Sequence, residues 1–184
     1  MTALGETSRA EILRIARECL VAAVRGEPEP RISSEDPALG GEGGCFVTYK
    51  TGGMLRGCIG CFESPAPLYR TVAEYARASA LSDPRFSGNR ISPDELDDVH
   101  IEVSVLSPRE SIQDPLSIEL GVHGIYVQRG GRSGCFLPQV ATDHGMSKEQ
   151  FLSECCAGKA GLSPDAWRDP ETEVQVFTAE IVAE

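Results

Sequence analysis

The segment Leu55-Arg56-Gly57-Cys58-Ile59-Gly60-Cys61 is the stretch of this chain best furnished for chemistry. On an extended strand Arg56 and Cys58 project from one face, and Leu55 and Ile59 from the other. An arginine beside a thiol favours the thiolate, the reactive form of cysteine. Glycines inside a strand mark a bulge, a bend or a close backbone approach, so Gly57 and Gly60 are candidates for lining a ligand cleft. Two readings follow. In one, Cys58 is a nucleophile or covalent carrier and Arg56 holds an anionic group. In the other, Cys58 is a buried, inert thiol and Arg56 a solvent-facing charge.

Cys58 and Cys61 also form a Cys-x-x-Cys. A structural zinc site needs a second ligand pair, and Cys155-Cys156 is adjacent rather than spaced for one. A dithiol redox pair belongs at a helix N-terminus, whereas this pair ends a hairpin strand. No metal and no cofactor is expected. His123, in Gly121-Val122-His123-Gly124, sits between glycines in a turn, free to titrate near neutral pH. If the fold brings it to Cys58, a Cys–His pair results. His100 falls on a polar strand face, and His144 in a loop. Gln139, in Leu137-Pro138-Gln139-Val140 at the end of a hairpin, either orients a ligand or satisfies loop backbone. The acidic run 94–98 reads as a helix start and solvated face. The glycines at 40–44 lack the Lys-Ser/Thr ending and following helix of a phosphate loop.

The elements that must position these residues alternate in type. Ile12, Ile15, Ala16, Cys19, Leu20, Ala23 and Val24 recur at helical spacing within 7–25, with Gly26 as the stop. Residues 27–44 read as a loop open to movement. Two β-rich arms, 45–49 and 54–60, flank a Gly-Gly turn, and Pro65 and Pro67 open a helix to about Leu81. Asp83-Pro84-Arg85-Phe86 breaks that helix, and Ser92 caps a short one. Residues 99–105 alternate as a half-buried strand, with His100, Glu102 and Ser104 on its polar face. A second hairpin, 125–127 and 135–137, turns at Gly130-Gly131. Ser147 caps a helix to about Cys156, a short helix carries Trp167, and one strand runs from Val174 to Val182. The hairpins resemble each other, by duplication or by chance. Hairpins with interspersed helices indicate an α+β fold, with helices 7–25, 65–81 and 147–157 in one continuous core.

The 184 residues suit one domain or two small subdomains, and the 41% hydrophobic content supports a core without metals or disulfides. A formal net charge of -11 disfavours nucleic acid and anionic membrane surfaces. No stretch approaches a membrane span, and the N-terminus lacks a signal-peptide layout, so a cytoplasmic location is expected. Seven cysteines in such a compartment read as free thiols.

Several of these strings resemble the AMMECR domain family in the same order. They are Val47-Thr48-Tyr49-Lys50, Leu55-Arg56-Gly57-Cys58-Ile59-Gly60, Asp83-Pro84-Arg85-Phe86, Glu102-Val103-Ser104-Val105-Leu106-Ser107-Pro108, Gly121-Val122-His123-Gly124 and Leu137-Pro138-Gln139-Val140. Lys159-Ala160-Gly161-Leu162 and Ala166-Trp167 close the match, which covers about residues 8–183 of a single 1–184 domain. The resemblance implies an α+β fold of two subdomains of antiparallel hairpin sheet and helices, interleaved, with a cleft between them. It also implies component A of a system whose companions are a Memo-like protein and a radical SAM protein. Arg56, Cys58, His123 and Gln139 fall on family motif positions; Cys61 and Met146 depart from them. The expectation is a component of a modification pathway that binds a small anionic substrate or peptide, with Cys58 and His123 catalytic and Arg56, Gly57, Gly60 and Gln139 binding. The alternative is a non-catalytic interaction module for the same partners.

Overall fold

The computed structural model describes residues 3–184. They divide into two compact units, one running to Leu106 and including Glu180–Glu184, the other comprising Ser107–Ala179.

In the first unit, α1 (Glu6–Arg25) buries Ile12, Ile15, Ala16, Cys19, Leu20 and Ala23, the expected stripe. It ends where Gly26 takes φ 67°, which lets its N–H and that of Glu27 reach back to the carbonyls of Ala23 and Ala22. The following loop is pinned rather than open to movement. Leu39 is fully buried, its carbonyl accepts from Tyr69, and Ser8 donates to Asp36 at 2.6 Å. β1 (Cys45–Thr51) and β2 (Met54–Cys61) form the first hairpin. α2 (Leu68–Leu81) follows, with Pro67 at its N-cap. A short turn of helix at Pro84–Phe86 and another at Pro93–Asp98 lead into β3 (Val99–Leu106). The sheet order is β2-β1-β3-β8, where β8 is Ala179–Ala183. Cys45, Val47, Tyr49, Ile101, Val103 and Val105 pack with α1 and α2 in one core.

The second unit contains β4 (Glu110–Ser111), β5 (Gly124–Arg129), β6 (Arg132–Phe136) and β7 (Glu173–Phe177), in the order β4-β7-β5-β6. Residues Pro138–Asp143 form α3, and α4 (Lys148–Glu154) continues as a wide turn over Cys155–Lys159. Ser147 and Gln150 exchange capping bonds at the start of α4, the N-terminus that Ser147 announced. Ile125, Val127, Phe151, Leu152, Cys155 and Trp167 belong to this unit's own core, and the Trp167 indole N–H donates to Ser153 at 3.0 Å.

The α+β class follows from these two antiparallel four-stranded sheets. Three further expectations change. The described residues form two hydrophobic clusters rather than one continuous core. The terminal segment is two strands, β7 and β8, in different sheets. Ser104, placed on a solvated face by alternation, is 1% exposed. Alternation assigns a side chain to a face of the sheet, but what covers that face is a tertiary matter. No helix among the described residues is long and apolar enough to cross a membrane.

Candidate functional site

Cys58 lies opposite Thr48 on β2, an edge strand of its sheet. Its backbone N–H and carbonyl therefore have no neighbouring strand on the outer side, and side chains supply the missing partners. The N–H donates to Asp83 Oδ2 at 2.9 Å, and the carbonyl accepts from Arg85 Nη2 at 3.0 Å. The thiol sulfur lies 3.2 Å from Thr48 Oγ1, which donates to it. Asp83 and Arg85 are themselves paired, Nη2 to Oδ2 at 2.7 Å and Nε to Oδ1 at 3.0 Å. Local sequence places this pair: Asp83 caps the short helix opened by Pro84, accepting the Arg85 backbone N–H. The Arg85 guanidinium, then the Cys58 and Arg85 N–H groups, hold the Asp83 carboxyl down to about 2, against the cost of burying it.

One residue along, Ser79 of α2 reaches into the hairpin. The Ile59 N–H donates to its hydroxyl at 2.8 Å, and the hydroxyl donates to the Val47 carbonyl at 2.8 Å. Tyr49 Oη likewise donates to the Ala76 carbonyl at 2.8 Å, fully buried. α2 and the hairpin are thus joined by buried hydrogen bonds as well as by apolar contact.

The structure reassigns three of the sequence-predicted binding residues. Arg56 is the unpaired residue of a β-bulge, because the register passes from Tyr49 with Gly57 to Lys50 with Leu55. Two-residue alternation does not carry through a bulge, so the inference that Arg56 accompanies Cys58 fails. The Arg56 guanidinium instead pairs with Glu95, and Nη2 also donates to the Arg90 carbonyl at 3.3 Å. Glu95 belongs to the capping box with Ser92, and Arg56, then the Ser92 donors, pull its carboxyl down to about 2. With 10% of its side chain exposed, Arg56 is a structural ion pair. Gly57 and Gly60 serve packing rather than ligand access. A Cβ at Gly57 would stand 2.2 Å from the Ser79 carbonyl oxygen, and one at Gly60 2.1 Å from that of Cys45.

His123 and Gln139 belong to the second unit. His123 Nδ1 accepts the Glu119 N–H at 3.1 Å, which leaves the ring's proton on Nε2 when neutral. Gln139 is not at a strand end but in the first turn of α3, where its Oε1 is buried without a hydrogen-bond partner among the described residues. Thr48, Asp83 and Arg85, which bond Cys58, lie in the first unit, and Glu119, which bonds His123, lies in the second.

The other cysteines differ from Cys58. Burial pushes the Cys19 thiol up to about 11, and drives those of Cys45, Cys155 and Cys156 upward as well. Cys61 is half-buried, and with burial it pushes the neighbouring Tyr75 hydroxyl up to about 12. Cys58 and Cys61 are three residues apart on a strand, which puts them on opposite faces. Among the described residues no three His, Cys, Asp or Glu side chains gather as metal ligands would. Sequence reasoning used Asp83-Pro84-Arg85-Phe86 as a helix breaker and a point of resemblance. A charged pair directly after a helix stop was the signal for its second role.

The family model AMMECR1 matches residues 13–182. A protein of Methanothermobacter thermautotrophicus is 42% identical over 180 residues, covering 94% of this chain and 92% of its own. Protein NEQ441 of Nanoarchaeum equitans is 38% identical over 180 residues, covering 94% and 98%. A crystal structure of the Uncharacterized Protein PH0010 from Pyrococcus horikoshii superimposes with a TM-score of 0.82 at 38% identity, over 92% of this chain and 88% of that one.

Proposed function

The chain belongs to the AMMECR1 family, and from that premise we propose that it is a cysteine-dependent component of a Memo and radical SAM associated modification pathway. Cys58 acts on, or carries, a small anionic substrate or a peptide. One observation carries this reading: Cys58 is partly exposed, and its thiol, N–H and carbonyl are each fixed by a polar side chain. Thr48 bonds the sulfur while Asp83 and Arg85 hold the backbone that carries it, whereas the buried thiols are pushed away from the reactive form.

Limited iodoacetamide labelling near pH 7 with peptide mapping tests the reading. Cys58 is expected to label ahead of Cys61 and Cys135, the other partly exposed cysteines. Equal or slower labelling removes the nucleophile.

The Arg56–Glu95 pair favours a second reading, a non-catalytic interaction module, because it takes away the anion site expected at that arginine. Co-purification with the two companions separates them. A complex that survives Cys58→Ser but loses its pathway output supports chemistry; one that dissociates supports docking.

A further inference from the structure

We propose that Arg85 is the residue that holds the anionic group of the substrate at Cys58, and that Asp83 positions it there. This rests on the reading of Cys58 as a nucleophile or carrier.

Asp83 accepts four hydrogen bonds: from the Cys58 N–H, the Arg85 N–H, Arg85 Nε and Arg85 Nη2. Its side chain is 2% exposed. Its charge is therefore spent inward, on donors that close over it. Arg85 has the opposite distribution. Nε and Nη2 are committed to Asp83 and to the Cys58 carbonyl, while Nη1 has no hydrogen-bond partner among the described residues and 55% of the side chain is exposed. What the pair presents to solvent is guanidinium, held at two points and with donors to spare. Such a fixed fork suits a carboxylate or phosphate oxygen. It is anchored on the carbonyl of the very residue that bears the thiol. The Arg85 pKa is raised, by Asp83 first and further by the Cys58 sulfur, as expected when a guanidinium and that sulfur are near neighbours. The Phe86 ring lies 5.6 Å from the guanidinium carbon and backs it from one side. Arg56 has none of this freedom.

A purely structural Arg85 would cap the edge of β2 and do nothing else. The two roles separate by charge selectivity at Cys58. Iodoacetate and iodoacetamide react alike: the thiolate carbon–sulfur bond forms as iodide leaves with the bonding pair. Only iodoacetate brings a carboxylate. The rate ratio of iodoacetate to iodoacetamide at Cys58, referred to the same ratio for glutathione, is expected to exceed one in the wild-type protein. In Arg85→Gln it should fall about two- to fivefold, the range of an exposed ion pair, and in Arg85→Lys by less. Arg56→Lys should leave it unchanged. A ratio that Arg85→Gln does not move overturns the assignment while leaving Cys58 a nucleophile. Failure of Cys58 to label with either reagent overturns both. Should Arg85→Gln lower the unfolding midpoint too far for assay, inorganic phosphate decides in the wild-type protein. It is expected to slow iodoacetamide labelling of Cys58 and not of Cys61, and the absence of any slowing overturns the proposal.

Discussion

The two hairpins solve one packing problem in the same way. Each turns through a pair of glycines with φ near 55° and 78°, Gly52-Gly53 and Gly130-Gly131, the two-residue turn that matches strand twist. Each has a Gly-Cys in its return arm, Gly57-Cys58 and Gly134-Cys135. Each glycine faces a fully buried residue across the strand pair, Tyr49 and Val127 respectively. In both, the glycine is where a helical backbone comes in too close for any side chain. A Cβ at Gly57 would meet the Ser79 carbonyl oxygen at 2.2 Å, and one at Gly134 the Ala160 nitrogen at 2.5 Å. The first hairpin carries in addition the Asp83–Arg85 pair on its outer edge at the cysteine. The shared part is architecture. The added part concentrates polar chemistry on Cys58, which is why the functional reading attaches to this hairpin.

The largest effect expected from breaking the comparison comes from the glycines. Gly57→Ala should cost about 3 kcal/mol or more, because a backbone carbonyl rather than a flexible side chain must yield. Gly134→Ala should cost a comparable amount by chemical denaturation. A near-wild-type Gly57→Ala would return that glycine to the role of a ligand-facing gap.

Next comes the polar addition. Asp83 has its pKa depressed from 3.8 to about 2, so it binds a proton less readily folded than unfolded. The associated stability, about 2 kcal/mol, is fully present above roughly pH 4 and disappears as pH falls through about 2. Asp83→Asn should abolish that portion of the acid dependence, read from unfolding midpoints across the range. An unaltered acid profile would show that the pair contributes nothing to folding.

Ser79→Ala tests the hydrogen-bonded join between α2 and the first hairpin. It should cost about 1.5 kcal/mol by leaving the Ile59 N–H and Val47 carbonyl short of a buried partner. An unchanged midpoint would mean that the two strands close on each other without it. The smallest effect belongs to the turns. Gly53→Ala and Gly131→Ala meet no neighbour, and only the left-handed backbone, φ 78° in each, resists them. About 1 kcal/mol is expected for both, and unequal losses would break the equivalence of the hairpins.

Much of the fold was legible along the chain. The α1 stripe and its Gly26 stop, both Gly-Gly hairpins, the Ser147 cap and the β3 alternation are local patterns, and local hydrogen bonding and periodicity enforce them. The candidate site was legible in part. Cys58 could be singled out because an Arg-Gly-Cys string on a strand is chemically unusual. Arg56 was misplaced because one bulge residue undoes the alternation on which its orientation depended. The division of residues 174–182 between two sheets left no mark either, since a continuous β-rich run does not state which strands it will join.

The sequence by itself therefore determined the elements and their turns, because these depend on neighbours within a few residues. Tertiary structure alone decided which charges were spent and which remained. Arg56 and Arg85 are the same residue type, each within two residues of an acid, a turn or a thiol. Their fates diverge because Glu95 lies 39 positions from Arg56 and closes over it, whereas Asp83 turns inward to the Cys58 N–H 25 positions away and leaves Arg85 facing out. Partners that distant are chosen by packing, and no spacing rule encodes them.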